Sequence, residues 1–424
     1  MSPVRPTVQV VGRRMDAEHY RLRDILTRAA QPYEWFEAGT EEADRLLASR
    51  GLVDPQLPVV LDGDATYTGV TVESLANEWM QDRGPKSSHY DLVVIGAGPA
   101  GLAAAVYAAS DGLSTIVFDR DVPGGQASYT AMIENFFGFP DGIGGAELSR
   151  LAARQAEKFD AELVFLRGIR GSRLEQDGDT MTLIVDGDQA EVKASVVLAA
   201  TGMDWRRLHV EGVDELVGHG VYYGAGRSEA QQCAGQTVVV VGAGNSAGQA
   251  VLNFANAGAR VIMLVRGDRL SKSMSKYLID RIERQSLIEV HLETQITELH
   301  SRDGVLTGVT YANADGRTAT ERVDAVFLCI GGSPHTEWCE REHVLTDSNG
   351  YILTGRELME DERFPGGCWR LERDPLPLET SRVGVFAAGD VRHGSTKRVA
   401  AAVGEGSMVA ALVFQRLAEL GVTY

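Results

Sequence analysis

Two glycine turns, each set between an apolar strand and a helix of small residues, restrict this chain more than anything else in it. The first, Gly96-Ala97-Gly98-Pro99-Ala100-Gly101, follows the run LVVI; the second, Gly242-Ala243-Gly244-Asn245-Ser246-Ala247, follows VVVV. The first glycine of such a turn permits a tight bend, and the second lets the backbone approach a pyrophosphate. A small third residue lets the helix lie close on the strand. The helix N-terminus then aims its unpaired N–H groups at the phosphates. A G-x-G-x-x-G run alone is weak evidence, but both copies have the strand before, the helix after and a second strand beyond.

Those second strands differ at their ends. In the first copy STIVF ends at Asp119, an acid that can accept hydrogen bonds from an adenosine ribose. In the second, RVIML leads to Arg266 instead. A guanidinium there pairs with a 2′-phosphate and leaves no carboxylate to repel it, which favours NADPH over NADH. Lys272 is a candidate for a second positive contact. Two dinucleotide folds in one chain, the second inserted in the first, point to a two-domain flavoprotein holding FAD and NADPH.

The 424 residues suffice for two or three domains. With 41 basic and 59 acidic residues the formal net charge is −18, which repels a nucleic-acid backbone, and no Lys/Arg stripe offsets it. No apolar run reaches the ~18 residues of a membrane span, so no membrane association is expected. The opening MSPVRPTVQVVGRR lacks a long apolar segment with a small-residue cleavage site, and a cytoplasmic location is expected. No His/Cys/Asp cluster has metal-ligand spacing, so no metal is expected. The cysteines, Cys233, Cys329, Cys339 and Cys368, form neither a C-x-x-C pair nor a disulfide framework.

Residues 1–80 read as a separate α/β unit. VQVV, YEWFEA, LPVVL and ATYTG are strand-like, and HYRLRDILTRAA, EEADRLLASR and VESLANEWM are helical, in the order βαβαββα. With Pro58 leading the third strand, this order resembles the thioredoxin/glutaredoxin fold. The usual C-x-x-C of that fold belongs near Met15–His19, where no cysteine stands, so a structural, docking or dimerisation role is expected. Residues 81–88 fall in a polar stretch with Gly-Pro and Ser-Ser and read as a linker.

From about residue 89 onward the chain resembles the low-molecular-weight thioredoxin reductases. The matching segments are VPGGQA with Gly124, Gly125 and Gln126, IENFFGFP with Glu134 and Asn135, and Ala200-Thr201-Gly202 followed by an arginine and a leucine. GVYYG from Gly220 and VGVFAAGDVRHGSTKRVAAAVGEGS with Gly389 and Asp390 complete the set. The resemblance implies an α/β fold of two nested Rossmann-like domains: FAD on 89–203 and 333–424, NADPH on 204–332. It implies that Gly125, Gln126 and Asn135 line the flavin, with Thr201 and Gly202 at the same site. Asp390 accepts from the ribityl chain, and Arg398, Val399 and Ala400 pass near the isoalloxazine. It also implies a homodimer, and domains that rotate between flavin reduction and dithiol reduction.

One family feature is missing. In those reductases the tyrosine of G-V-x-Y is followed at once by a redox C-x-x-C; here Gly224-Ala225-Gly226-Arg227 follow. Gly224 and Gly226 are expected to leave a vacancy that opens one flavin face. Arg227 is the candidate to bind an anionic group, Tyr222 and Tyr223 to stack, and His393, beside Lys397, to donate a proton. The leading expectation is an FAD-dependent NADPH oxidoreductase without a dithiol, feeding a carrier protein or a small molecule. Alternatives are a flavin dehydrogenase or oxidase of a metabolite, a flavin redox sensor, and a thioredoxin reductase using displaced cysteines such as Cys329 with Cys339.

Overall fold

A computed structural model describes residues 6–79, 84–174, 180–185, 190–224, 227–359, 369 and 371–422. The chain opens with β1 (Val8–Gly12), α1 (Ala17–Arg28), β2 (Tyr33–Glu37), α2 (Glu41–Ser49), β3 (Val59–Asp62), β4 (Ala65–Thr68) and α3 (Val72–Trp79). Their order is the one the periodicity predicts. The sheet runs β2-β1-β3-β4, with β2 parallel to β1 and the other pairs antiparallel. Val8, Val10 and Val60 meet Leu22 and Leu26 of α1 and Leu75 of α3 on one face; Val11, Val59 and Leu61 meet Ala43 of α2 on the other. Helix α1 starts at Asp16, whose carboxylate accepts from the N–H groups of Glu18 and His19 at 3.1 and 3.2 Å, satisfying donors the helix leaves open.

The first dinucleotide unit begins with β5 (His89–Ile95), α4 (Pro99–Ser110) and β6 (Thr115–Asp119). It continues with α5 (Gly145–Lys158), β7 (Glu162–Phe165), β8 (Ile169–Leu174), β9 (Met181–Val185) and β10 (Glu191–Ala199). A short strand, β11 (Met203–Trp205), then leaves for the second unit. That unit comprises β12 (Val221–Tyr223), α6 (Arg227–Gln232), β13 (Thr237–Val241), α7 (Asn245–Asn256), β14 (Arg260–Leu264), α8 (Lys276–Ile282) and β15 (Ile288–His291). A hairpin pair follows, β16 (Thr294–Arg302), β17 (Val305–Asn313) and β18 (Thr318–Arg322), before β19 (Ala325–Leu328). The chain returns through β20 (Gly332–Pro334) and ends with β21 (Val385–Ala387) and α9 (Val399–Glu419).

The first sheet has the order β7-β6-β5-β10-β9-β8, with β21 on the far side of β10; the second runs β12-β19-β13-β14-β15 and is parallel throughout. Leu92, Val93 and Val94 of β5, and Val238, Val239 and Val240 of β13, are fully buried. Each sheet is covered on both faces, by α4, α5 and α9 or by α6, α7 and α8 on one and by the strands β9 and β10 or β16 and β17 on the other, so these strands read as unbroken apolar runs instead of alternating ones. The two crossings between the units lie side by side: Met203, Asp204 and Trp205 of β11 pair antiparallel with Pro334, Ser333 and Gly332 of β20. The architecture is α/β, with the second dinucleotide fold nested in the first.

Small residues in α4 let α9 pack tightly on it. A Cβ placed on Gly406 of α9 would stand 2.1 Å from the carbonyl oxygen of Ala100, whereas one on Gly404 would meet nothing within 4 Å. Gly406→Ala should therefore lower stability by about 1–3 kcal/mol through overpacking. Gly404→Ala should raise it by about 0.5–1 kcal/mol through helix propensity. Urea unfolding of the two proteins checks the pair, and equal shifts would mean α9 does not press on α4 at this point.

Candidate active-site cleft

Backbone crowding shapes the first turn. Gly96 has the left-handed φ of +109°, and a Cβ on it would lie 2.3 Å from the carbonyl oxygen of Ala200. A Cβ on Gly101 would lie 1.9 Å from the oxygen of Gly96 itself. Gly98 differs, because a Cβ there would meet nothing within 4 Å. Its open side faces a cleft of about 780 Å³, within the range of small-molecule and cofactor sites. Helix α4 begins there with Pro99 in its first turn and no side chain capping its N–H groups. Uncapped donors on the cleft floor are what a pyrophosphate requires.

Most of the residues expected around FAD line this one cleft. They are Gly96, Gly98, Pro99, Ala100 and Asp119 from the first turn and strand end, Gly125 and Gln126 from the loop after β6, and Thr201 and Gly202 at the crossing. Gly389, Asp390, Arg398 and Val399 join them from the C-terminal segment. Gly101 lies buried beneath, as its packing role demands. Asn135 and Ala400 are exposed and do not line the cleft. Asn135 follows Glu134, which is drawn outward to Arg281 of α8 at 2.9 Å.

The titratable groups carry the mark of the site. Asp119 accepts from the N–H groups of Ala97 at 2.6 Å and Asp121 at 2.9 Å. Burial pushes its carboxyl up to about 6, and those two donors pull it partly back. Burial also raises the Asp390 carboxyl, against the pull of Lys397. Lys397, itself lowered by burial, donates to the Asp390 carbonyl at 2.6 Å and sits 4.3 Å over the Tyr351 ring. The Gln126 amide donates to the Met203 carbonyl at 2.8 Å, tying the loop to the crossing strand.

The second turn repeats the first. Gly242 has φ +142°, and a Cβ on it would lie 2.2 Å from the Cys329 carbonyl oxygen; one on Gly244 would meet nothing. Ala247 is fully buried at the third packing position, and α7 also starts without a side-chain cap. Ser246, Gln249 and Ala250 of α7 line the same cleft as the first turn. Asn245 instead positions α8, its Oδ1 accepting from the Ser275 N–H at 2.7 Å. Arg266 lies just beyond β14, exposed, and its side chain forms no ion pair among the described residues. Lys272 is not free, being paired with Asp268 at 2.7 Å.

The residues proposed for chemistry are scattered. Gly224 lines the cleft, but the expected vacancy is absent on its side-chain face: a Cβ there would lie 3.1 Å from Tyr129 and 3.3 Å from Trp205. These rings pack edge to face, 5.4 Å apart, and fill the space. Tyr223 turns away, its hydroxyl accepting from the Leu208 N–H at 3.2 Å. Tyr222 is a core aromatic stacked on Phe327. His393 stands outside the cleft lining, with Nδ1 3.0 Å from Glu357 Oε1. Ala225, Gly226 and the side chain of Arg227 lie outside the described residues.

Several cleft residues have no sequence motif. His335 meets Asp204 at 2.6 Å, its hydrogen bond holding that carboxyl below the usual range, and Arg120 pairs with the same carboxylate. Arg28 reaches the cleft wall from α1. Only Asp204 and His335 carried a signal, since both flank the crossings that the resemblance marks.

Residues 90–406 match the family described as pyridine nucleotide-disulphide oxidoreductase. The chain belongs to this family. It is thus an FAD-dependent NAD(P)H oxidoreductase. Thioredoxin reductase of Bacillus subtilis is 31% identical over 335 residues, spanning 79% of this chain and 96% of that protein. Thioredoxin reductase of Listeria monocytogenes is 32% identical over 326 residues, spanning 75% and 91%. The crystal structure of T. acidophilum thioredoxin reductase is similar with a TM-score of 0.67 and 28% identity, covering 78% of this chain and 99% of that one. The family match begins at residue 90, beyond α3. Among the described residues no helix is long and apolar enough to cross a membrane.

Were Asp119 to hold the adenosine ribose, FAD binding would depend on pH. Its carboxyl, raised to about 6, must ionise to accept well from ribose hydroxyls. FAD affinity of the apoprotein should therefore strengthen as pH rises through about 6 and weaken below it. Asp119→Asn should bind ~10-fold more weakly, with that pH step removed. Quenching of flavin fluorescence between pH 5 and 8 measures both, and a flat profile in the unaltered protein would take Asp119 away from the ribose.

Proposed function

We propose that this protein is an NADPH-dependent FAD oxidoreductase that passes electrons to an external acceptor, a carrier protein or a small molecule, without a redox dithiol of its own. The observation that carries the reading is the shared cleft: the first turn of α7 opens onto the same space as the glycine turn before α4. FAD would lie along Gly96–Ala100, Asp119, Gln126 and Asp390, and NADPH along Gly242–Ala247 with its 2′-phosphate at Arg266. When bound, this pair supplies hydride transfer from nicotinamide to flavin and a store of two electrons. The protein's own part is placement: two uncapped helix ends hold the pyrophosphates, and Asp119 fixes a ribose.

Cysteine chemistry supports an external acceptor. Cys233, Cys329 and Cys339 are free and buried. Burial pushes their thiols up to about 11, 12 and 12, so the thiolates that a dithiol relay needs are disfavoured. Cys368 lies outside the described residues. The sheet order β2-β1-β3-β4 supports reading residues 1–80 as a thioredoxin/glutaredoxin-like unit without thiols.

Anaerobic NADPH should bleach the flavin band of the purified protein, and a variant with all four cysteines replaced by serine should bleach equally fast. Failure with both NADPH and NADH overturns the reading; bleaching by a metabolite alone would make the protein a substrate dehydrogenase. Arg266→Ala should cost about 10- to 100-fold in kcat/KM with NADPH and little with NADH, as expected for a lost charge-assisted pair. Equal losses with the two cofactors would remove the 2′-phosphate from Arg266.

A further inference from the structure

Helix α1 touches both dinucleotide units, one with each end. At its start, the Arg14 guanidinium donates to Gln236 Oε1 at 2.9 Å and to Cys233 Sγ at 3.3 Å. His219 Nδ1 donates to the Met15 carbonyl at 2.8 Å, and the Tyr20 and Tyr222 rings pack 4.5 Å apart. A Cβ on Gly218 would stand 2.6 Å from Ala17 Cα, so this contact leaves no slack. All of these partners belong to the second unit.

The far end of the helix, about 18 Å away for its 12 residues, grips the first unit. Arg28 is only 5% exposed and donates to both carboxylate oxygens of Asp121 at 2.8 and 2.9 Å. Its Nε donates to Asp24 at 2.8 Å, and its guanidinium lies 4.6 Å over the Tyr129 ring. Tyr129 is the ring that fills the space beside Gly224, so Arg28 and Tyr129 together wall that side of the cleft. Direct ties between the two dinucleotide units also occur in this region, among them the Tyr129 ring against Gly224 and Trp205. They also include Glu134–Arg281 at 2.9 Å, half exposed, and the Gln249 amide on the Met132 carbonyl at 2.9 Å.

We infer that Arg28, with Arg14 and the Ala17–Gly218 contact, are positioning residues: through them the N-terminal unit clamps the two dinucleotide units in the orientation that keeps the first turn of α7 on the cleft. The inference rests on the proposed hydride transfer, because only that step needs α7 and the cleft to stay in register. Freed of the clamp, the units sample several orientations, and the limiting rate falls with the fraction that remains competent. Each dinucleotide site stays whole, so affinity is retained. The same helix closes the Gly224 side of the cleft, and the acceptor must approach elsewhere.

The test uses the full-length holoprotein in three arms. Gly218→Ala drives a methyl into Ala17; Gly212→Ala imposes the same left-handed backbone, φ +78° against +84°, where a Cβ meets nothing. Arg28→Met removes the other grip, and Arg28→Lys restores its charge. Spin labels at Asp111→Cys of the first unit and Gln295→Cys of the second, both exposed, in a Cys368→Ser background, report the orientation without any chemistry. The expected result is one narrow distance in the parent, in Gly212→Ala and in Arg28→Lys, and a broad distribution in Gly218→Ala and Arg28→Met. In those two the limiting rate of flavin bleaching should drop about 10-fold, with NADPH affinity and FAD content unchanged in Gly218→Ala, which lies off the cleft. A broad distribution in the parent, or an unchanged one in both Gly218→Ala and Arg28→Met, overturns the clamp. Should either variant fail to fold, the other decides. A parent protein that NADPH does not bleach sinks the proposed function instead, while the label distances still judge the clamp.

Discussion

The cleft depends on two carbonyl oxygens that occupy the place of a side chain. Ala200, just past β10, fills the space beside Gly96, and Cys329, just past β19, fills the space beside Gly242. In both units the crowding oxygen comes from the strand next to the one that feeds the turn. These are also the strands from which the chain leaves for the other unit, through β11 and β20. The glycine of each turn and the start of each crossing are thus one steric arrangement, and a side chain at Gly96 or Gly242 would push the crossing as well as the turn. This is why the two units can sit over a single cleft: the segments that join them are anchored where the dinucleotide phosphates are expected.

Features dictated by local sterics were legible in the sequence. The glycine turns, the buried strands β5 and β13 and the seven elements of the N-terminal unit all follow from period, volume and backbone freedom within about a dozen residues. The residues around the cleft were legible only where such a turn carries them, as for Asp119, or where the resemblance names the segment, as for Gln126 and Asp390. Side chains on loops escaped. Asn135 belongs to a matching segment yet is exposed and off the cleft, next to Glu134, which pairs with Arg281 on the other unit. His393 sits beside the cleft-lining Lys397 in sequence, but its ring is held by Glu357. Arg28 joins Asp121 across 93 positions of the chain, a pairing no local pattern encodes.

The Gly-Ala-Gly-Arg segment that follows Tyr223 and the bound N-terminal unit make sense together. A thiol relay needs a part that moves, because the sulfurs must face the flavin and then an outside partner. Contacts that bridge the units would oppose such movement, most of all an arginine that is nearly buried, since separating it from its carboxylates leaves charges without water or partner. Arg28, between Asp24 and Asp121, is such a contact. On the proposed reading, without a dithiol in the Gly224 segment, the chain would have no second position to reach, and a brace would cost it no step of the cycle. The aromatic pair of Tyr129 and Trp205 fits the same logic: it fills the face beside Gly224 with packed rings that moving sulfurs would have to displace.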